Sequence, residues 1–289
     1  MSIDLLQERI RKYKSPLIVD LSMKMEHIPA ALREGKDPKV AYGEFCRGLL
    51  ESLQGKCAGV RFPFDRFALM GGLQELSDLM KRAAELGYYV LLEGPAILSP
   101  WGAESAAAAI FGPESQFPCN GMILSPWIGS DAIKPFLPYC KDQGKSLFIL
   151  ARSANKTAPE LQDLMTGGRL THVAAADVIN RHGESIVGKC GYSHVGAMTA
   201  ATNAASITGL RNKYKRMFLL VDGIDYPGGN AKNCSLAFDS LGHGAAVCAG
   251  PDLVAAWIQA ESDGSDYAEL AAKAAERLKN NIARYISIW

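Results

Sequence analysis

The sequence predicts a (β/α)8 barrel. Three observations carry that reading: eight short apolar runs, amphipathic helical stretches between them, and a length of 289 residues without a break in composition. The runs are Leu17–Leu21, Ala58–Phe62, Tyr89–Glu93, Gly121–Ser125, Leu147–Ala151, Val195–Ala200, Met217–Asp222 and Ala245–Ala249. Each is nearly continuous in apolar residues, the pattern of parallel strands buried on both faces. A doubly wound open sheet fits the same periodicity and is the structural alternative. No Ser/Gly-rich linker divides the chain, so residues 1–289 read as a single domain.

Between the runs, Leu73–Leu86 is apolar on one face and charged on the other, and Gly87 stands at its end as a C-cap. Asp131–Cys140, Pro159–Met165 and Ser206–Arg211 read as further crossovers. Ala103–Gly112 is a small-residue crossover helix, and Tyr267–Ile286 a long amphipathic one. Trp101 and Trp127 are assigned to helix-to-barrel packing.

Lys plus Arg number 31 and Asp plus Glu 30, a formal charge of +1 with no basic stripe. That balance speaks against nucleic-acid and membrane-surface binding. The seven cysteines are widely spaced and form no CxxC pair, as expected of free thiols in a reducing compartment. The opening MSIDLLQERIRKYK lacks the apolar run of a signal peptide, and no stretch is long enough to span a membrane. The expectation is a cytoplasmic protein.

Phosphate-loop, GxSxG and HExxH signatures are absent, and the five histidines show no metal-ligand spacing, so they read as surface or capping residues. In a barrel, chemistry sits where strands end. That directs attention to Asp20, Ser22, Arg61, Glu93, Ser125, Arg152, Thr199, Thr202, Asp222 and Cys248. Arg61 and Glu93 could form an ion pair in the barrel mouth, either catalytic or a core strut. Asp222 and Asp225 could join Glu93 around a hard cation, a weaker reading. Gly228 and Gly229 could offer amides to an anion, although a plain turn is the commoner use of such a pair.

Several stretches together resemble the longer bacterial form of the orotidine 5′-phosphate decarboxylase family. They are KSPLIVDLSMKMEHIP (14–29), SPWIGSDAIKPFLPYCKDQGKSLFILARSANKTAPELQDL (125–164), GYSHVGAMTAAT (191–202) and LLVDGIDYPGG (219–229). The resemblance implies a barrel of the ribulose-phosphate-binding type, a carboxy-lyase of pyrimidine (UMP) biosynthesis, no cofactor, no metal and a homodimer with active sites near the subunit interface. Family members carry a strand-end Asp-x-Lys-x-x-Asp whose Lys protonates the carbanion left by CO2 loss. Here the stretch is EGPAILSPWGA (93–103), with Glu93, Pro95 and Leu98 at those three positions, and Arg61 where a further Lys is expected. Losing a positioned general acid costs on the order of 10²–10⁴ in rate.

The resemblance also places Ser22 where the family has a ribose-contacting Asp. It places Pro227 where a Gln reaches phosphate, and Pro251 where an Arg does. Ser125, Thr202, Gly223, Gly228, Gly229 and Gly250 remain as ligand-binding candidates, the glycines as a backbone cradle for a nucleotide or phosphorylated small molecule. Three readings follow. One is a non-decarboxylating homologue acting by ligand or partner binding, as a homodimer or as a heterodimer with an active paralogue. Another is a repurposed enzyme with a new charged site of Arg61, Glu93, Asp20, Asp222 and Asp225. The last is a genuine decarboxylase using displaced residues such as Lys24, Lys156 or Lys189.

Overall fold

A computed structural model describes residues 2–288. Eight parallel strands close into a barrel: β1 Leu17–Asp20, β2 Gly59–Pro63, β3 Tyr89–Glu93, β4 Gly121–Leu124, β5 Ser146–Leu150, β6 Val195–Ala200, β7 Leu219–Asp222 and β8 Ala245–Ala249. Each pairs with the next, and β1 closes against β8. The closed arrangement excludes the open doubly wound sheet. Six of the strands lie within the predicted runs; β2 ends one residue later than its run, at Pro63, and β5 starts one residue earlier, at Ser146.

Side chains alternate between two apolar shells, as the twofold period of a strand requires. Ile18, Leu91, Ile123, Phe148, Met198, Leu220 and Cys248 fill the barrel interior. Val19, Val60, Leu92, Leu124, Ile149 and Val221 face outward onto the helices. Tyr89 also points inward, and Gly121 makes room for it: a Cβ there would stand 2.6 Å from the Tyr89 hydroxyl.

The barrel floor is closed by α1, Ser2–Tyr13, whose Ile3, Leu6 and Ile10 are fully buried against the interior. Its polar side chains reach the strand starts. The Ser2 hydroxyl donates to Asn120 O (2.7 Å), Asp4 accepts from Cys190 N (2.7 Å) and Gln7 accepts from Gly244 N (3.1 Å).

Crossover boundaries depart from the sequence reading where Pro and Gly intervene. Asp131–Cys140 is not one helix. Gly129–Ala132 and Lys134–Phe136 are 3₁₀ turns and only Leu137–Asp142 is α-helical, because Pro135 and Pro138 lack the amides a continuous helix would use. Pro159–Met165 shrinks to Pro159–Gln162; Met165–Thr166 then pairs antiparallel with Arg169–Leu170 across Gly167 and Gly168, both at positive φ. The crossover into β6 is instead Thr171–Gly183, and the C-terminal helix Tyr267–Ala283 stops short of Ile286.

Trp101 and Trp127, expected in packing, are 82% and 73% exposed. The helix Pro100–Phe111 seats Ala103, Ala106, Ala107 and Ile110 on the barrel and turns Trp101 outward. His172 and His194, expected at the surface, are buried, with Nδ1 against Gln162 O and Lys145 O respectively. All seven cysteines are free thiols. Among the described residues no helix is long and apolar enough to cross a membrane.

Candidate active site

Arg61, the third residue of β2, points into the barrel mouth and is buried. Register places it beside Asp20 of β1, and Glu93 ends β3 one strand away. Its Nη2 donates to Glu93 Oε2 at 2.7 Å and its Nε to the same oxygen at 3.2 Å. Nη1 lies 3.2 Å from Asp20 Oδ2 and 3.3 Å from Asp222 Oδ1, reached from β7. One guanidinium thus ties carboxylates from three strands. Burial works against its charge, yet Asp20, Asp222 and Glu93 together outweigh it and hold Arg61 well above its ordinary range.

The carboxylates pay unequally for this. Asp222 is raised, by burial first and by the nearby Asp20 and Glu93 charges, with Arg61 pulling it back. Asp225 accepts from Gly250 N at 2.6 Å, yet burial and the charges of Asp252, Asp20 and Asp222 push it up to about 6. Burial drives the Cys248 thiol well above its usual value, which leaves it a packed apolar group rather than a nucleophile.

The structure therefore brings together Asp20, Arg61, Glu93 and Asp222, with Ser22 beside them. The Ser22 hydroxyl stands 3.4 Å from Glu93 Oε2, and its amide donates to Asp20 at 2.8 Å. The guanidinium occupies the space a cation would need. Among the described residues no group of three or more His, Cys, Asp or Glu is arranged to hold a metal ion.

Other candidates stand apart from that cluster. Pro95 is half-buried on the loop after β3, and Leu98 is 83% exposed. Ser125 is exposed and accepts from Trp127 N, and Thr202 lies 3.5 Å from Ala154 O. Arg152, past the end of β5, is engaged by both Asp163 oxygens (3.1 and 2.7 Å), and Asp163 also meets His172. The Asp163–His172 pairing has no sequence signal, since both partners lie in a crossover. Tyr226 stands near the mouth, its phenol raised by burial and by Asp222 and Asp20.

The proposed glycine cradle is largely filled from within. Gly229 N donates to Tyr226 O (2.8 Å) and Gly250 N to Asp225, while Ala154 crowds Gly223, where a Cβ would stand 2.2 Å from its own. Gly228, exposed at positive φ, serves the turn.

Set against known proteins, the chain is 30% identical to the orotidine 5′-phosphate decarboxylase of Clostridium kluyveri, over 98% of each. It is 26% identical to that of Caldicellulosiruptor bescii, again over 98% of each. The solved OMP decarboxylase of Leishmania donovani superposes with a TM-score of 0.72 at 23% identity, over 97% of this chain and 98% of that one. No family model matches the chain. With the barrel, its length and its order of elements all in agreement with these relatives, the chain belongs to the orotidine 5′-phosphate decarboxylase family.

Proposed function

We propose that this barrel does not decarboxylate orotidine 5′-phosphate and acts instead by binding a ligand or a partner subunit. The observation that carries the reading is the state of Arg61. A decarboxylase must deliver a proton to the carbanion left by CO2, and the resemblance puts that task on a Lys where Pro95 now stands. Arg61 is the cation at the mouth cluster, and three carboxylates hold its proton more tightly than an ordinary guanidinium does. Such a group orients and neutralises; it does not serve as a general acid at neutral pH.

The lysines considered as displaced donors do not fill the gap. Lys24 is exposed and pairs with Glu26, Lys156 is exposed, and Lys189 lines a cleft beside α1 at the floor of the barrel. The test is loss of orotidine 5′-phosphate absorbance at stoichiometric protein, with Pro95→Lys alongside. The expected result is no turnover by the wild type; turnover would refute the reading.

The same reading extends to a homodimer. Leu98, Trp101 and Trp127 lie exposed on the segments that follow β3 and β4, and a second copy of the chain would cover them.

A further inference from the structure

We propose that Asp225 sets the ligand class of the mouth: its carboxylate stands as an internal anion where a ligand's phosphate would need the Gly250 amide, so the barrel takes ligands that carry no phosphate. This rests on the reading above, that the mouth binds rather than decarboxylates, and names what it binds.

Hydrogen-bond commitment is the first support. An oxyanion is held at the ends of barrel strands by backbone N–H groups left without internal acceptors. Here Gly250 N is taken by Asp225 Oδ2 at 2.6 Å, the short distance of a charge-assisted bond. Gly229 N is taken by Tyr226 O at 2.8 Å. The turn is folded hard onto itself, since a Cβ at Gly229 would run into the Gly223 carbonyl. The chain thus supplies its own acceptor at two of the four amides, and at Gly250 that acceptor is a carboxylate.

Charge is the second support. A Cβ at Gly250 would stand 3.6 Å from Asp225 Oδ2 and 3.7 Å from Asp20 Oδ2, so carboxylate oxygens already surround the position. Asp222 and Asp252 add to the same field. The compensating cation, Arg61, is spent on Asp20, Glu93 and Asp222. A phosphate dianion would have to displace Asp225 and then sit among like charges, whereas a neutral or cationic ligand meets neither cost.

The experiment titrates inorganic phosphate by calorimetry into the full-length wild type, Asp225→Asn and Asp225→Gly at neutral pH, with far-UV circular dichroism confirming each fold. Asp225→Asn keeps the side chain's shape and an acceptor for Gly250 while removing the charge, and it serves if the glycine variant does not fold. The expected result is no saturable uptake by the wild type, a gain of about tenfold or more in Asp225→Gly, the size of one charge-assisted hydrogen bond, and a smaller gain in Asp225→Asn, which lifts the charge but leaves the Gly250 amide taken. Equal binding by all three proteins, or no gain in either variant, would overturn the proposal. An orotidine 5′-phosphate absorbance assay on the same preparations separates the two readings. Wild-type turnover strikes the non-decarboxylating function, whereas a failed phosphate gain without turnover strikes only the role of Asp225.

Discussion

Replacing Asp225 by Asn should stabilise the protein at neutral pH and leave it nearly unchanged in mild acid. The folded structure raises this carboxyl from 3.8 to about 6, through burial and the neighbouring Asp252, Asp20 and Asp222 charges. The folded state therefore holds the proton more tightly than the unfolded chain does. Between about pH 4 and pH 6 the native state carries the extra proton, and stability falls as pH rises through that window. At 1.36 kcal/mol per unit, a shift of roughly two units removes about 3 kcal/mol by neutral pH. Asn carries no charge to bury and still presents an oxygen to Gly250 N. Urea unfolding of both proteins at intervals from about pH 4.5 to 7.5 measures the difference directly. The two stability curves should meet near the acid end and separate by up to about 3 kcal/mol above pH 6, the variant being the more stable. Parallel curves would show that Asp225 titrates as an ordinary surface carboxyl.

Two further outcomes are expected. Arg61→Met leaves Asp20, Glu93 and Asp222 without their shared cation, so unfolding free energy at neutral pH should drop by about 3–5 kcal/mol and recover partly as the pH is lowered to about 4. Trp101→Asp places a charge on the exposed face after β3; on the proposed homodimer, light scattering should report a dimer for the wild type and a monomer for the variant, with an unchanged circular dichroism spectrum.

The barrel strands were legible because both of their faces are buried, which turns each into a near-continuous apolar run. The tryptophans were misread because the helix Pro100–Phe111 is apolar almost all round, and an Ala-rich helix does not declare which side faces the barrel. Arg61 and Glu93 could be paired from adjacency of strands. Asp222 was named with them as a strand-end residue, but its share in the Arg61 guanidinium depends on closure of the barrel, which brings β7 across the mouth to β2. Least legible was Asp225, since its bond to Gly250 depends on loop conformation rather than on strand periodicity. The missed hairpin had a local signal, Gly167–Gly168 between short extended pairs, that was overridden by a helical reading of the residues before it.

The helix that floors the barrel has a consequence for biosynthesis. α1 is made before all eight strands, yet its partners are spread along the chain that follows: Gln7 bonds Gly244 across 237 residues and Asp4 bonds Cys190 across 186. Until β8 is made, Ile3, Leu6 and Ile10 have no closed interior to enter. The nascent chain thus carries an unsatisfied apolar stripe ahead of the barrel while the strands are made, and the floor can be sealed only once the last strand has joined the first. Residues made before the barrel are in this sense among the last to find their native contacts.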